Sequence, residues 1–599
     1  MLFPSISGNL VLKQNRKLPK ELQLRRKMKD SVPEEHLYLG FSHQCQDSIF
    51  PLHTSISLFL LSYCDCKSFK IFLVPTNENA NDQFVTKNLL GDLEVHLIPK
   101  CQLPMVVQSC CFPAVVTKDG KFCRAGLSVV LRHIVQKTFE ADPSKKNVLE
   151  LLGFKKTCLK ACAEVSQWTR LCEISIPLAV EGFLTASPEH SQTIPADILQ
   201  LERKLAEPVR VHNDDKIRRQ KLQQQKAGAK AAVSLLEKEA TEEGKTVEVH
   251  EHPLPSLELS VAFSKLHVQE VSPAGNREAP LIRRTKTSDL PPLDHVFAEG
   301  LYFTLADIVL LPCIHQFLDY SKKQGKDLVK LPLISSWYRR VQQVPGVKRA
   351  ADKCNMQLLQ LPELIPAPED HLGDFFPVPD NCEEEHENSQ FIGGPRPTMT
   401  KLMERGIEAK FSPHPCPDWT IDWPSLPAAV NPGEGKMSRD RALRKQQQLN
   451  NLVAAVKKLA KPGDVIVDFC SGGGHVGIVL AHMMPSCQVV LIENKELSLM
   501  RAKDRSDELG LNNISFIQAN LDYFNGTFNI GEHMILCRFA DQTAVHLPPD
   551  RKLIGKQCMG LVDLDRAWAA ERCNYSVQVT SMEPESCSPK NNMFVGTPV

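Results

Sequence analysis

The chain has 599 residues, a net charge of +1 and a hydrophobic content of 42%, with 42 prolines and 20 cysteines. That length exceeds one hydrophobic core and predicts three or four domains. The balanced charge supplies no global field to recruit a nucleic acid or a membrane. No C-x-x-C pair recurs at zinc-finger spacing, so reduced, mostly buried thiols in a cytoplasmic protein are expected, with no metal site.

Residues 1–34 carry Lys13, Arg16, Lys17, Lys20, Arg25, Arg26 and Lys27 without an apolar signal core. A disordered basic tail is expected; Glu21 and Asp30 argue against a mitochondrial presequence. Residues 35–137 alternate strand and helix signals and predict a small α/β domain. Strands are expected at Leu37–Phe41, Phe69–Val74 and Leu93–Ile98, and a helix at Thr54–Tyr63 capped by Thr54 or Ser55. Ala114–Val116 and Lys121–Cys123 flank the turn Lys118-Asp119-Gly120, which predicts a hairpin, and Ser128–Val135 a following helix.

Residues 138–360 read as helical, with Leu151, Leu159, Cys162, Val165 and Leu171 at near-helical spacing. Inside them, 208–294 turns polar and proline-rich, which predicts a mostly disordered insertion with at most one exposed helix. In Thr304-Leu305-Ala306-Asp307, Thr304 can cap the apolar helix that follows while Asp307 reaches back to the free N–H groups. A second helix is expected around Trp337. Residues 361–390 form an acidic, proline-rich linker, and 391–460 hold Trp419, Trp423 and a helix from Ser438 to Leu459. His414, Cys416 and Asp418 have metal-ligand chemistry, but Pro413, Pro415 and Pro417 predict a rigid extended segment instead. Arg439, Arg441, Arg444 and Lys445 can be a solvated face or contact RNA phosphates.

Residues 461–599 hold the most informative stretch. Val465-Ile466-Val467-Asp468-Phe469 reads as a buried strand ending near an acid. Cys470-Ser471-Gly472-Gly473-Gly474-His475-Val476-Gly477 then reads as a glycine loop opening a helix. Such a loop lets backbone approach a nucleotide-like ligand. A second strand, Val489–Glu493, ends on Glu493, and a third, Ile514–Ile517, leads to Asn520. The Gly472-x-Gly474-x-x-Gly477 spacing also fits the dinucleotide fingerprint. Asp468 weighs against that reading, because nicotinamide folds usually keep this strand end small and neutral. A tight strand–helix turn with no ligand is the remaining alternative.

Two resemblances follow from these residues. The first half resembles glutathione transferases: Pro113 stands before a hairpin, Thr304-Leu305-Ala306-Asp307 matches their capping box, and Pro332, Trp337 and Pro345 match a helical pattern. The resemblance implies a thioredoxin-like domain followed by an all-α domain. Where that family grips glutathione with an acid and a hydroxyl, this chain has Arg124-Ala125-Gly126, so a scaffold role without glutathione chemistry is expected. Cys64 and Cys66 also lie away from the family's thiol position.

The last domain resembles class I S-adenosylmethionine-dependent methyltransferases, a Rossmann-like fold. The resemblance implies that Asp468 binds the cofactor's amino group. Cys470, Ser471, Gly472, Gly473 and Gly474 then line the methionine moiety, with Cys470 a small packing residue rather than a nucleophile. Glu493 would take the ribose hydroxyls and Asn520 the adenine amine. It also implies a fourth and fifth strand after Asn520. The chain offers only polar Asp522–Gly531 and apolar His533–Phe539 before Pro548, so the sheet is expected to be incomplete, shortened near Ile530–Glu532. A helix at Leu553–Arg572 and a hairpin of Ser576–Met582 with Met593–Val599 complete it.

The first functional expectation is S-adenosylmethionine binding, with an RNA or a protein as methyl acceptor and catalysis impaired in this shortened chain. The alternatives are a non-enzymatic adaptor, binding protein partners through the helical domain, and a residual glutathione-dependent transferase.

Overall fold

In the computed structural model the described residues are 35–41, 50–75, 95–108, 110–153, 167–185, 193–209, 214–226, 257–266, 285–325, 331–361, 395–409, 411–432, 438–519, 547–572, 574–588 and 591–598. The expected run His533–Phe539 and the tail 1–34 lie outside them. Among the described residues, eight strands form a single sheet in the order β3-β2-β1-β4-β5-β8-β7-β6. From the first part of the chain come β1 (Glu35–Phe41), β2 (Phe69–Pro75), β3 (Val95–Leu97), β4 (Ala114–Val116) and β5 (Phe122–Ala125). The last part supplies β6 (Val465–Phe469), β7 (Gln488–Glu493) and β8 (Ile514–Gln518). β1 runs parallel to β2, and β4 and β5 form the hairpin at Lys118-Asp119-Gly120.

The join between the two parts is β5 against β8, parallel, with Phe122 opposite Phe516 and Arg124 opposite Gln518. Side chains alternate across a strand, so this join builds two cores. On one face Phe122 is buried with Phe516, Val489 and Leu491; on the other, Val116 and Cys123 are buried with Ile517.

Helix α1 (Leu52–Cys64) starts one residue after Pro51, not at Thr54 or Ser55. Pro51 pre-sets the backbone for a helix start. The buried Thr54 hydroxyl donates to the Gly40 carbonyl at 2.6 Å, and Glu181 accepts the Leu52 N–H at 3.0 Å. A carboxylate from a distant helix therefore supplies what the local sequence does not. Helix α2 is Leu127–Ala141. In the segment expected to be disordered, the described helix α3 (Leu257–Leu266) is not an exposed one: Ala262 is 1% and Glu258 2% exposed. Leu259 and Phe263 pack on the main core, and Lys221 pairs with Glu258 at 2.6 Å.

Helix α4 (Leu305–Lys323) carries the expected capping box. The fully buried Asp307 carboxylate accepts from the N–H of Thr304 at 2.9 Å, the N–H of Ala298 at 2.8 Å and Trp337 Nε1 at 2.8 Å. Trp337 lies on α5 (Pro332–Gln342), whose N-terminal amides at Leu333 and Ile334 both donate to Glu202 at 2.8 Å. Farther on, α6 (Pro395–Glu404) packs on α7 (Pro549–Glu571), and β9 (Tyr575–Ser581) pairs antiparallel with β10 (Asn592–Pro598) as a separate sheet. No helix among the described residues is long and apolar enough to cross a membrane.

Asp307→Ala would leave three buried donors unmatched and is expected to cost about 3 kcal/mol or more in urea unfolding. Burial raises Glu202 to about 7. Its protonated form is thus favoured by folding, a contribution fully present below the unfolded carboxylate range and lost as pH rises through about 7. Wild type is therefore expected to gain urea stability relative to Glu202→Gln as pH falls from about 8 to about 5. A difference that stays constant across that interval contradicts the assignment.

Candidate cofactor site

β6 was read as a buried strand, yet Val465, Val467 and Phe469 are 62%, 40% and 61% exposed. Among the described residues β6 pairs on one side only, with β7, so it stands at the sheet edge. Its end still delivers the expected chemistry. Asp468 Oδ2 accepts the Gly477 N–H at 3.0 Å, within the helix α8 (His475–Met483) that follows the loop.

The loop backbone turns left-handed at Cys470, Gly472 and Gly474, with φ of 55°, 57° and 70°. Glu493, at the end of β7, reaches across to it: Oε2 accepts the Gly472 N–H at 2.9 Å, and Oε1 accepts the Lys495 N–H at 2.8 Å. The two acids expected from the spacing therefore flank one glycine loop. Burial raises the Asp468 carboxyl above its ordinary range; the Gly477 bond and the Lys445 charge oppose this, and Glu493 adds to it.

Ser471 Oγ is buried without a hydrogen-bond partner among the described residues, and its N–H donates to the Ile492 carbonyl at 3.1 Å. Cys470 is exposed rather than packed, because the left-handed turn carries it outward. Gly473 remains in the loop, and Asn520 lies outside the described residues.

Three neighbours were not evident from spacing. Lys445, on α9 (Arg439–Leu459), lies close enough to Asp468 for their charges to interact; burial holds its ammonium below the ordinary range. Arg505, on α10 (Glu496–Glu508), donates to the Gly473 carbonyl at 3.1 Å and to the Ala429 carbonyl at 2.9 Å, tying the loop to the segment before it. His475 lies 3.2 Å from Arg505 and is pushed down to about 4 by burial, Arg505 and Lys445, which keeps it neutral at pH 7. Only Lys445 had a sequence signal, as part of a basic run. Asn450, also on α9, accepts from Trp423 Nε1 at 3.1 Å and the Ile421 N–H at 3.2 Å, which docks the preceding segment beside the site.

The donor set suits a ligand with hydroxyls and an ammonium: two carboxylates, an orphaned hydroxyl and glycine backbone. Elsewhere, His414 accepts the Cys416 N–H at 3.1 Å, and no group of three potential metal ligands occurs among the described residues. Burial pushes the Cys64 thiol up to about 12, so it is not a nucleophile near neutrality.

A Cβ at Gly474 would lie 2.7 Å from both Ala502 Cβ and Leu491 Cδ2, whereas one at Gly473 meets nothing nearer than 3.7 Å. Gly474→Ala is therefore expected to lower stability by about 2–3 kcal/mol in urea unfolding. Gly473→Ala is expected to stay within about 0.5 kcal/mol. Equal effects at the two positions would rule out the tight packing of the loop.

The family described as methyltransferase domain matches residues 460–540. The described part of that match, 460–519, holds the parallel strands β6, β7 and β8 with helices between them, in keeping with a methyltransferase Rossmann-like fold. Ribosomal RNA small subunit methyltransferase G of Francisella tularensis subsp. novicida (strain U112) is 37% identical over 75 residues, 12% of this chain and 36% of that protein. Over nearly the whole chain, the glutathione S-transferase C-terminal domain-containing protein of Homo sapiens is 61% identical, covering 95% of this chain and 99% of its own. That alignment runs over 636 positions, more than the 599 residues here, so the relative carries residues that this chain lacks. The homolog in Drosophila melanogaster is 28% identical, covering 94% of this chain and 99% of its own. With the human relative 61% identical and covered over 99% of its length, the chain belongs to the family of glutathione S-transferase C-terminal domain-containing proteins.

Proposed function

We propose that the chain binds S-adenosylmethionine at the glycine loop and belongs functionally with methyltransferases. The observation that carries this is the pairing of Asp468 and Glu493 across one loop, with Glu493 already bonded to the Gly472 N–H. In this reading Asp468 takes the cofactor's ammonium and Glu493 its ribose hydroxyls. Ser471 and the backbone of Cys470, Gly472, Gly473 and Gly474 follow the methionine portion, and Asn520 the adenine amine. The bound cofactor supplies a methyl group on a sulfonium, ready for transfer. His475 is held neutral, and the Lys445 charge acts on Asp468 from the neighbouring helix.

RNA is the acceptor class we favour over protein. It is supported by the local likeness to a ribosomal RNA methyltransferase and by exposed Arg441 and Arg444 on the helix that brings Lys445 to Asp468. A cytoplasmic setting is consistent with the free cysteines among the described residues. Catalysis is impaired in this chain on the same reading: β6 has one partner among the described residues, and relatives carry residues absent here.

We also infer that the first half is thioredoxin-like followed by a transferase-like helical domain, and that it acts as a scaffold. The parallel β1–β2 pair and the β4–β5 hairpin support the former. Arg124 supports the latter, since its guanidinium at the hairpin end is engaged by Glu496 instead of facing a ligand. A purely adaptor role is the second reading, favoured by that same contact, and it leaves the helical domain to bind protein partners. A residual glutathione-dependent transferase is the weaker one.

Calorimetric titration with S-adenosylmethionine is expected to give saturable heat, weakened at least about tenfold by Asp468→Ala, which removes a charge-assisted contact. Gly474→Arg serves as the filled-loop control. No heat above that control would sink the cofactor reading and leave the adaptor role.

A further inference from the structure

The turn that carries Glu493 is gripped from the other half of the molecule. It runs from Glu493 through Asn494 and Lys495 to Glu496, the first residue of α10. Besides the Gly472 N–H on Glu493 Oε2, four contacts hold it. Glu493 Oε1 accepts the Lys495 N–H, and the Ala519 N–H donates to the Glu493 carbonyl at 3.3 Å. Gln518 Nε2 donates to the Asn494 carbonyl at 3.2 Å. Arg124 Nη2 donates to Glu496 Oε1 at 2.6 Å.

Of these four, only the last comes from the first half of the chain, and it is an ion pair with a buried arginine and a partly exposed carboxylate. The Arg124 side chain is 6% exposed, and its Nη1 lies 3.8 Å from Glu35 Oε1 on β1. The guanidinium carbon sits 4.7 Å from the Phe122 ring centroid. Its Nε and Nη1 have no hydrogen-bond partner among the described residues, so Glu496 is where its bonding is spent. Arg124 and Gln518 are register partners across the β5–β8 join, and both reach the same turn. Glu496 makes the closer contact, so displacing it would leave the buried cation only the longer approach to Glu35.

We propose that Arg124 is a positioning residue for the cofactor site: through Glu496 it fixes the turn that aims Glu493 at the ribose, making cofactor affinity depend on the first half of the chain. This rests on the cofactor reading above. The consequence is chemical as well as geometric. Arg124 acts through the carboxylate that takes ribose hydroxyls, so its influence reaches only ligands that have them.

The test is calorimetric titration of the full chain with S-adenosylhomocysteine and with its 2′,3′-dideoxy analogue, on wild type, Arg124→Gln, Glu496→Ala and the double variant. Each single variant is expected to weaken S-adenosylhomocysteine roughly three- to tenfold, the usual span of such couplings. The double variant should be no weaker than the singles, and the dideoxy analogue should bind all four proteins alike. Glu496→Ala binding S-adenosylhomocysteine as wild type does would overturn the inference, as would equal weakening of both ligands. Should Arg124→Gln fail to fold, Glu496→Ala decides alone, since that side chain is 33% exposed. If wild type itself binds neither ligand, the cofactor reading falls, and this inference with it.

Discussion

Everything in this molecule turns on the parallel pairing of β5 with β8. A sheet edge presents unpaired N–H and C=O groups that must be bonded or hydrated. Here the hairpin edge of the first half and the third strand of the last unit close each other's edges. The Phe516 N–H donates to the Lys121 carbonyl at 2.9 Å. Lys121 Nζ meets the Leu511 carbonyl at 3.2 Å, and Lys503 meets Asp119 at 3.1 Å. Phe122 then belongs to the core of the methyltransferase-like unit although it lies more than three hundred residues upstream. Neither part of the sheet can be described without the other.

On the proposed transferase-like reading of the first half, that join stands where the family's ligand chemistry would be. The hairpin end that would meet glutathione is the place where Arg124 turns inward between Glu35 and Glu496. Glu35 is surrounded by Lys137, His133 and Arg124, and its carboxyl is held below the ordinary range by His133, Lys137 and Arg124 against the cost of burial. The hairpin end is an internal seam. The opposite edge behaves differently: β6 keeps its apolar residues exposed while its terminal acid is still held by the glycine loop's helix.

Much was legible in the residues themselves. The hairpin at Asp119-Gly120, the capping box of Thr304 and Asp307, the strand ends at Asp468 and Glu493 and the helix from Ser438 all depend on neighbours a few positions away. Local backbone chemistry decides such features, so local pattern reports them. The α1 start was misread because its N-terminal amide at Leu52 is satisfied by Glu181, far away in the chain. The polar, proline-rich composition of 208–294 predicts at most one exposed helix, whereas α3 packs its apolar side chains on the core of the helical region, a distant partner that composition does not report. Arg505 and His475 carried no signal, since nothing in the spacing says which helix face meets a loop.

The sequence by itself determined the cofactor-like constellation, because a left-handed loop needs glycine and a strand end needs only its own acid. It also determined that Arg124-Ala125-Gly126 stands at the hairpin end, which is a matter of residue identity. Tertiary structure alone decided that the two halves share one sheet, that β6 is its edge among the described residues, and that Arg124 reaches the turn of Glu493. Those are pairings between segments hundreds of residues apart. Hydrophobic period assigns a face to each strand, but the choice of neighbour is made by edge hydrogen bonds and side-chain fit, which no local pattern encodes.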